Sequence, residues 1–537
     1  MAQEGITARD TLSTLQDWIE HGISLPLTST PSALRYANTS TVDEYHDQVT
    51  ARLHEYSEFG AVTDVDDTNP TYIQPLHVIT KNNHKPRIVI DLSRNLNEHI
   101  QRFPFHYTSV EDAAEIATPN CWFGKIDLSN CFLSFPMHQT AWKHLTFSFA
   151  GRLQQFVRLP FGLSSAPYQC TQFLSVPAWS MSQAGMKFVR YLDDFLFVAD
   201  SVPQLLAVIT AAIQIFEDFG LVINPNKIDG PSQRITFLGV VIDSTTQTLA
   251  CTTERIDELT SLLQQHQSQR DIRVRAAQSL VGKLSFAAKV LPGARPFMRR
   301  MHDLIRDRAA PSRFALMRLD KGWKADANFW LRHFQHWNGK QRWRSSPTRP
   351  LVIATDASIV GFGFHVEQIP DSISTSHWPR HLLVGSGFAG RYNIHHKHLH
   401  NTHTKIAWGE MFAVLAAIVT YGPLARDQSL LFLVDNQTDV HILNRQATRS
   451  ERLASLLRRI YAETSALNIN IRAKHRRGED NIVADFLSRY QGDDMTDQWQ
   501  RSYPHIAHRL SSVSIVYSEQ FHPNSERPSA TSFDRAN

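Results

Sequence analysis

The sequence predicts a mixed α/β chain: two strand-and-helix units with a basic helical block between them. Three observations predict it. Residues 61–250 carry short apolar runs broken by Pro, Gly and Asn, the pattern of strands alternating with helices. Between Arg270 and Arg344, eighteen Lys and Arg stand against five Asp, a local charge of +13 in a chain of net charge +4. A second series of strand and helix patterns fills 351–490, opening with Leu351-Val352-Ile353-Ala354.

Each stretch has its own reading. Residues 1–60 form a polar helical leader, with Trp18-Ile19-Glu20 and Val49 to Tyr56 as its amphipathic stretches. Residues 61–250 are the first α/β unit. Residues 251–348 are basic and helical, ending in Arg342-Trp343-Arg344 and a Ser/Pro linker near 345–350. A charge of this density suits a polyanion, although a solvated helix face has the same look. Residues 349–490 are the second α/β unit. Residues 491–537, rich in Ser, Asn and Pro, are expected to be a disordered tail.

Composition narrows the class. Hydrophobic residues make up 42% and charged residues 20%, so a disordered or fibrous chain is excluded. Four cysteines, Cys121, Cys131, Cys170 and Cys251, are too sparse for a disulfide framework, and a reducing, intracellular setting is expected, in cytoplasm or nucleus. The start shows no basic n-region before an apolar run. The longest apolar stretch, about 12 residues near Leu205–Phe216, falls short of the ~20 that span a bilayer, so no membrane partner is expected.

Two acidic constellations carry the chemistry. In the first, Phe188-Val189-Arg190-Tyr191-Leu192-Asp193-Asp194-Phe195 reads as a β-hairpin with two carboxylates at the turn. Adjacent carboxylates in an apolar run repel and lose hydration, and a divalent cation relieves both. Trp122 to Leu128 is a strand that carries Asp127 near its end, which read alone is a helix cap. Between them lies Leu159-Pro160-Phe161-Gly162-Leu163-Ser164-Ser165-Ala166-Pro167, read alone a loop.

In this order the three segments resemble the palm motifs of reverse transcriptases. The resemblance covers residues 60–345 and implies a right-hand polymerase of fingers, palm and thumb. It implies that Asp127, Asp193 and Asp194 hold two Mg²⁺, with Mn²⁺ as a substitute and the Leu128 carbonyl as a further ligand. Phe132 matches the aromatic gate against a ribose 2′-hydroxyl, and Phe161 stands where several retroviral enzymes have Gln. Arg87, with Lys81 or Lys85, matches the triphosphate ligands of the fingers. Lys227 matches a lysine proposed to protonate leaving pyrophosphate. Phe237-Leu238-Gly239 matches the turn that positions the primer end. The basic helices then fit a thumb that tracks phosphates.

The second constellation is Asp356 ending a strand, Glu410 near the start of a helix, Asp435 ending a second strand, and Asp485 on a last helix. Singly, each reads as a cap or surface acid. As an ordered set they resemble the ribonuclease H fold of retroelements, which implies two further Mg²⁺ and attack of water on an RNA phosphodiester. His475 matches a mobile histidine of that family, and Asn481 orders the turn before the last helix. The 54-residue separation of Asp356 and Glu410 exceeds that of retroviral enzymes. The insertion carries His395, His396, His398, His400 and His403, read as a surface loop or a metal site.

The motif forms look most like DIRS-type retrotransposons, with a Ty3-like element or a pararetrovirus next. The resemblance implies RNA template, DNA primer, RNA–DNA hybrid and dNTPs as partners, with a recombinase and a capsid-like protein on other chains. A decayed or domesticated copy that binds nucleic acid without catalysis is the second expectation.

Overall fold

The computed structural model describes residues 8–66, 69–80, 86–105, 107–291, 293–308, 315–338, 341–342, 350–392, 402–506 and 510–521. It separates into two compact units, Met1–Leu238 with Asp243–Thr245, and Gly239–Ile242 with Thr246–Asn537.

In the first unit, α1 (Ala8–His21) and α2 (His46–Glu58) come from the polar leader. Val49, Leu53 and Tyr56 recur at helical spacing, and all three are buried in the core of this unit. β1 (Leu76–Ile79) and β2 (Arg87–Ile90) form an antiparallel hairpin with Ile79 opposite Arg87. β3 (Trp122–Leu128) is an inner strand of the main sheet. The α3 helix (Ala166–Phe173) follows the Pro-Phe-Gly loop. β4 (Lys187–Tyr191), β5 (Asp194–Ala199), the helix α4 (Val202–Asp218) and β6 (Ile223–Ser232) complete it, in the antiparallel order β6-β3-β5-β4.

β3 buries Phe123 on one sheet face and Ile126 and Leu128 on the other, so this inner strand is covered on both sides. The Ser201 side chain caps α4 by accepting from Gln204 N–H. That helix buries Leu205, Ala212 and Phe216, and Phe216 meets Phe195 edge-on at 5.0 Å or less, 4.8 Å between ring centroids. Each such ring contributes roughly 1.5–3 kcal/mol of burial. The Pro-Phe-Gly loop is locked to the β1–β2 hairpin. Ile90 N–H donates to the Phe161 carbonyl at 3.0 Å, and Gly162 has φ +117°. A Cβ on Gly162 would stand 1.9 Å from the Ile90 carbonyl oxygen, so only glycine fits.

The second unit opens with four helices, α5 (Thr253–Ser268), α6 (Val274–Ala287), α7 (Arg299–Arg308) and α8 (Lys321–Trp337). Trp323 and Trp330 are buried, and the Trp330 indole N–H donates to the Phe297 carbonyl at 3.1 Å. A two-stranded sheet, Asp271–Arg273 with Leu316–Arg318, lies among these helices, and the later part of the unit is built on a six-stranded sheet. Its elements are β7 (Leu351–Ala357), β8 (Gly361–Gln368), β9 (Ser386–Arg391), α9 (Thr402–Tyr421), β10 (Ser429–Val434), α10 (Gln437–Arg445), α11 (Glu451–Ala466), β11 (Asn470–His475), α12 (Ile482–Arg489), α13 (Asp493–Ser502) and β12 (Ser512–Tyr517). The strand order is β11-β10-β7-β8-β9-β12. β7, β10 and β11 run parallel, and β8 is antiparallel to both its neighbours.

Two expectations are corrected here. The segment after 490 is not a disordered tail through residue 521. α13 packs there and β12 pairs in parallel with β9, from Ser386 opposite Ser512 to Arg391 opposite Tyr517. Polar composition concealed Trp499, Leu510, Val513 and Ile515, which join Phe486 and Tyr490 in a small apolar core. The longest apolar helix is also not at 205–216. It runs over Ile406–Ala425, long and apolar enough to cross a membrane, and 67% of it is buried within the fold. It is apolar all round because it packs on the sheet with one side and on α11 with another.

Candidate active sites

The first site is built by strand register. Antiparallel pairing sets Asp194 opposite Asp127 on one side and opposite Tyr191 on the other. Leu192 and Asp193 are left as a two-residue turn, and Leu192 takes φ +53°, the positive angle that tight hairpin turns require at this position. Leu128 N–H donates to the Asp193 carbonyl at 3.1 Å, which ties the turn to the end of β3. Asp127, Asp193 and Asp194 therefore converge.

Their environment is costly for charge. Burial pushes the Asp193 carboxyl up to about 6, and the Asp127 charge adds to the rise while Arg87 opposes it. Burial also raises Asp194, whose Oδ1 has no hydrogen-bond partner among the described residues. Lys227, from β6, donates to both carboxylate oxygens of Asp127 at 3.0 Å. The lysine supplies there the positive charge that a carboxylate cluster needs. The remaining orphan oxygen and hard donors fit a divalent cation.

Near the acids lies an aromatic and cationic stack. A short 3₁₀ turn, Cys131–Ser134, carries Phe132 against Phe161, edge to face at 5.2 Å. The Arg87 guanidinium lies over the other ring, 4.9 Å from the Phe161 centroid. Three residues singled out separately in the sequence are thus one contiguous surface. Lys81 and Lys85 lie outside the described residues, as do Trp343, Arg344 and residues 393–401, which carry His395, His396, His398 and His400. Leu238 and Gly239 have φ +50° and +74°, so Phe237-Leu238-Gly239 is a tight turn with Phe237 buried before it.

The second site lies where parallel strands end. Asp356 is in β7 opposite Gly363, and Asp435 follows the last residue of the neighbouring β10. Glu410 is not near the start of its helix: α9 begins at Thr402, so Glu410 sits near mid-helix, facing the sheet. Asp356, Glu410 and Asp435 bring ligand oxygens within 4.8 Å of one another. Asp356 and Glu410 are buried, and Asp356 Oδ2 and Glu410 Oε2 have no hydrogen-bond partner among the described residues. Burial first, then the neighbouring carboxylates, push Glu410 up to about 11; burial likewise pushes Asp356 up to about 7. Among the described residues no Lys or Arg pairs with these three. Orphaned oxygens around one point, with no Lys or Arg paired directly to them among the described residues and only the more distant Arg489 charge felt by Asp356, fit a divalent metal.

The other residues of this set have different surroundings. α12 lies so close to β8 that a Cβ on Gly363 would meet Leu487 Cβ at 2.5 Å. That approach carries Asp485 toward Asp356, whose carboxyl it helps to raise. Asp485 is half-exposed and paired with Arg489, one turn on, at 2.8 Å. It is not one of the three converging acids. His475 ends β11, with Nε2 2.9 Å from the Asp435 carbonyl oxygen. Asn481 is buried and donates to the Thr355 carbonyl at 3.0 Å, fixing the start of α12 to β7.

Comparisons with known proteins bear on the segment that holds the first site. A family described as "Reverse transcriptase (RNA-dependent DNA polymerase)" matches residues 76–242, the span that holds Asp127, Asp193 and Asp194. Residues 76–242 are a reverse transcriptase domain. Protein P of heron hepatitis B virus is 23% identical over 231 residues, 42% of this chain and 29% of that protein. The Pol polyprotein from Drosophila melanogaster transposon 412 is 25% identical over 174 residues, 31% of this chain and 14% of that polyprotein. The chain thus spans less than a third of either relative. A solved foamy viral protease-reverse transcriptase in complex with dsDNA shares the fold, with TM-score 0.51 and 16% identity over 89% of this chain and 95% of that one. A second, with RNA/DNA hybrid, has TM-score 0.51 and 16% identity over 84% and 56%. The architecture is a right-hand polymerase followed by a ribonuclease H-like α/β domain.

Sequence reasoning missed several groups around both sites. Beside the reverse transcriptase turn, Tyr107 packs on Tyr191 at 5.0 Å and Phe103 stacks on Tyr168 at 4.3 Å. Their signal was a spaced aromatic run, Phe103, Phe105 and Tyr107, ahead of the palm. In the second domain, half-buried Tyr392 turns a buried hydroxyl toward Glu410 and Asp356; burial raises that hydroxyl's pKa, and the two carboxylates add to the rise. Asp439 is fully buried in the first turn of α10. An Asp in a first turn looks like an ordinary helix-start residue, so nothing in the sequence distinguished it.

Proposed function

We propose that the chain is an RNA-directed DNA polymerase whose C-terminal domain cleaves the RNA strand of RNA–DNA hybrids, in the replication of a retroelement. The observation that carries it is the pairing of Asp127, at the end of β3, with the hairpin turn that holds Asp193 and Asp194, within the residues that match a reverse transcriptase family. Asp356, Glu410 and Asp435 form the second carboxylate centre this reading requires, with Asp485 closing on it from α12.

In the polymerase site, Asp127, Asp193 and Asp194 would hold Mg²⁺, or Mn²⁺ in its place, with the Leu128 carbonyl at the same strand end. Bound there, the ions activate the primer 3′-hydroxyl and offset charge on the triphosphate. Arg87, braced on Phe161, faces the triphosphate. Phe132 fills the space where a 2′-hydroxyl would sit. Lys227, which rests on Asp127 in the structure, would be the group that gives a proton to pyrophosphate. In the second site, Asp356, Glu410, Asp435 and Asp485 would hold the metal pair, and His475 sits at its rim. The basic helices of 251–342 carry the phosphates of the duplex. The motif forms favour a DIRS-type element within this reading.

The test is Mg²⁺-dependent dNTP incorporation by the purified chain on a primed RNA template, with the RNA strand labelled. Extension together with RNA cleavage is the expected result. Tight hybrid binding with neither reaction would replace it with a binding-only protein.

A further inference from the structure

Beside the second centre lies one buried hydroxyl that the four-acid set does not use. Tyr392 directly follows the last residue of β9, and its ring packs against Phe362 of β8 at 5.5 Å and Trp408 of α9 at 6.1 Å. Those contacts fix where the hydroxyl goes. A Cβ on Gly409 would stand 2.4 Å from the Tyr392 hydroxyl oxygen and 2.9 Å from Ala357 Cβ. Gly409 immediately precedes Glu410, and Ala357 immediately follows Asp356. The hydroxyl is therefore packed where α9 meets β7, beside the chain neighbours of two converging acids.

The surroundings favour a polar role over a packing role. Gly409 lies inside α9, where glycine is a poor helix former, and a larger side chain would displace the hydroxyl. The hydroxyl is buried and has no hydrogen-bond partner among the described residues. Burial costs it its hydration, and phenylalanine would pack the same ring without that cost. On the acid side, Asp356 Oδ2 and Glu410 Oε2 are buried acceptors, also without a partner among the described residues. Asp356 has a hydroxyl of its own within hydrogen-bonding range, that of Ser488. Glu410 feels only other acids, Asp356, Asp435 and Asp439. A carboxylate that gives one oxygen to a metal needs a donor to orient the other.

The geometry points to Tyr392 as the positioning residue of Glu410: when Glu410 and its neighbours hold a divalent cation, the Tyr392 hydroxyl donates to the Glu410 oxygen that the cation leaves free. This rests on the nuclease reading of that centre. It gives Glu410 the donor that Asp356 has in Ser488, and it accounts for a glycine in the middle of the helix.

The test uses the full chain carrying Asp127→Asn and Asp193→Asn, which removes palm ligands. Mn²⁺ binding is measured by electron paramagnetic resonance of the free ion. Adding Tyr392→Phe removes the hydroxyl and keeps the ring. It is expected to weaken the remaining site about tenfold. The metal-free protein should melt at an equal or higher temperature, because a buried hydroxyl without a partner has been removed. Asp435→Asn is the control and should also weaken binding. If Asp435→Asn weakens Mn²⁺ binding and Tyr392→Phe does not, the Tyr392 role falls and the nuclease centre stands. If neither weakens it, the nuclease reading falls and the role with it. If Tyr392→Phe melts lower without metal, the hydroxyl is a structural group and the role is overturned.

Discussion

The two carboxylate centres solve one electrostatic problem in opposite ways. The palm sets its acids on an antiparallel hairpin and the strand beside it, leaves Asp127 partly exposed, and places Lys227 on Asp127 at 3.0 Å. The second centre sets its acids at parallel strand ends and on a long apolar helix, buries Asp356 and Glu410, and pairs none of its three converging acids with a basic side chain among the described residues. The palm is stabilised in part by its own cation, whereas the second centre relies on protons or metal. The difference teaches that the second centre should respond more strongly to pH and to metal removal.

The largest expected effect breaks the second centre alone. Glu410→Gln should lower RNA cleavage on the order of a thousandfold, the scale of one lost strong electrostatic contact, with DNA synthesis within about twofold. Single-turnover cleavage of a labelled hybrid measures it, and equal loss of synthesis would join the two sites. Lys227→Ala sharpens the contrast from the palm side. It should lower synthesis about a hundredfold as a proton donor is lost, yet lower the Mg²⁺ concentration needed for half-maximal rate, since Asp127 is uncovered. Pre-steady-state nucleotide addition across a Mg²⁺ series reads both. Phe132→Ala should raise ribonucleotide use relative to deoxynucleotide use about tenfold, about 1.4 kcal/mol of discrimination. Unchanged sugar selectivity would remove Phe132 as the gate.

The smallest effect is thermodynamic. Asp193, Asp356 and Asp439 have folded-state values raised to about 6, 7 and 7, above their unfolded values. A raised acid contributes stability that is complete below its unfolded value and is lost as pH rises through its folded value. The metal-free melting temperature should therefore fall by a few degrees between pH 5 and pH 8. Saturating Mg²⁺ should remove most of that fall, and Glu410→Gln should reduce it. A calorimetric pH series with and without EDTA decides this, and a metal-free protein that gains stability over that range would contradict it.

Legibility differed between the two regions for physical reasons. The palm was readable because Asp193, Asp194, their turn and its flanking strands lie in one contiguous run, so a period-2 pattern around Asp193-Asp194 already specified the hairpin, whereas Asp127 joins it from a separate strand. The edge-to-face contact of Phe132 with Phe161, and Arg87 over that ring, depended on tertiary packing of three separate segments. In the second domain the strand ends at Asp356 and Asp435 were visible. The pairing of Asp485 with Arg489 is an i,i+4 contact that the sequence permits but does not require. Asp439 imitates a helix-start residue. Trp499, Leu510 and Ile515 were masked by polar neighbours, because composition averages over a window and a sheet edge needs only a few apolar side chains.

The most direct test of two separable centres in one chain is Asp193→Asn assayed on a primed RNA template with primer and template strands both labelled. The account predicts an unextended primer and, on a preformed RNA–DNA hybrid, template RNA cut at the unmodified rate. Loss of RNA cleavage along with extension, in a protein that still binds the hybrid and melts normally, would contradict it.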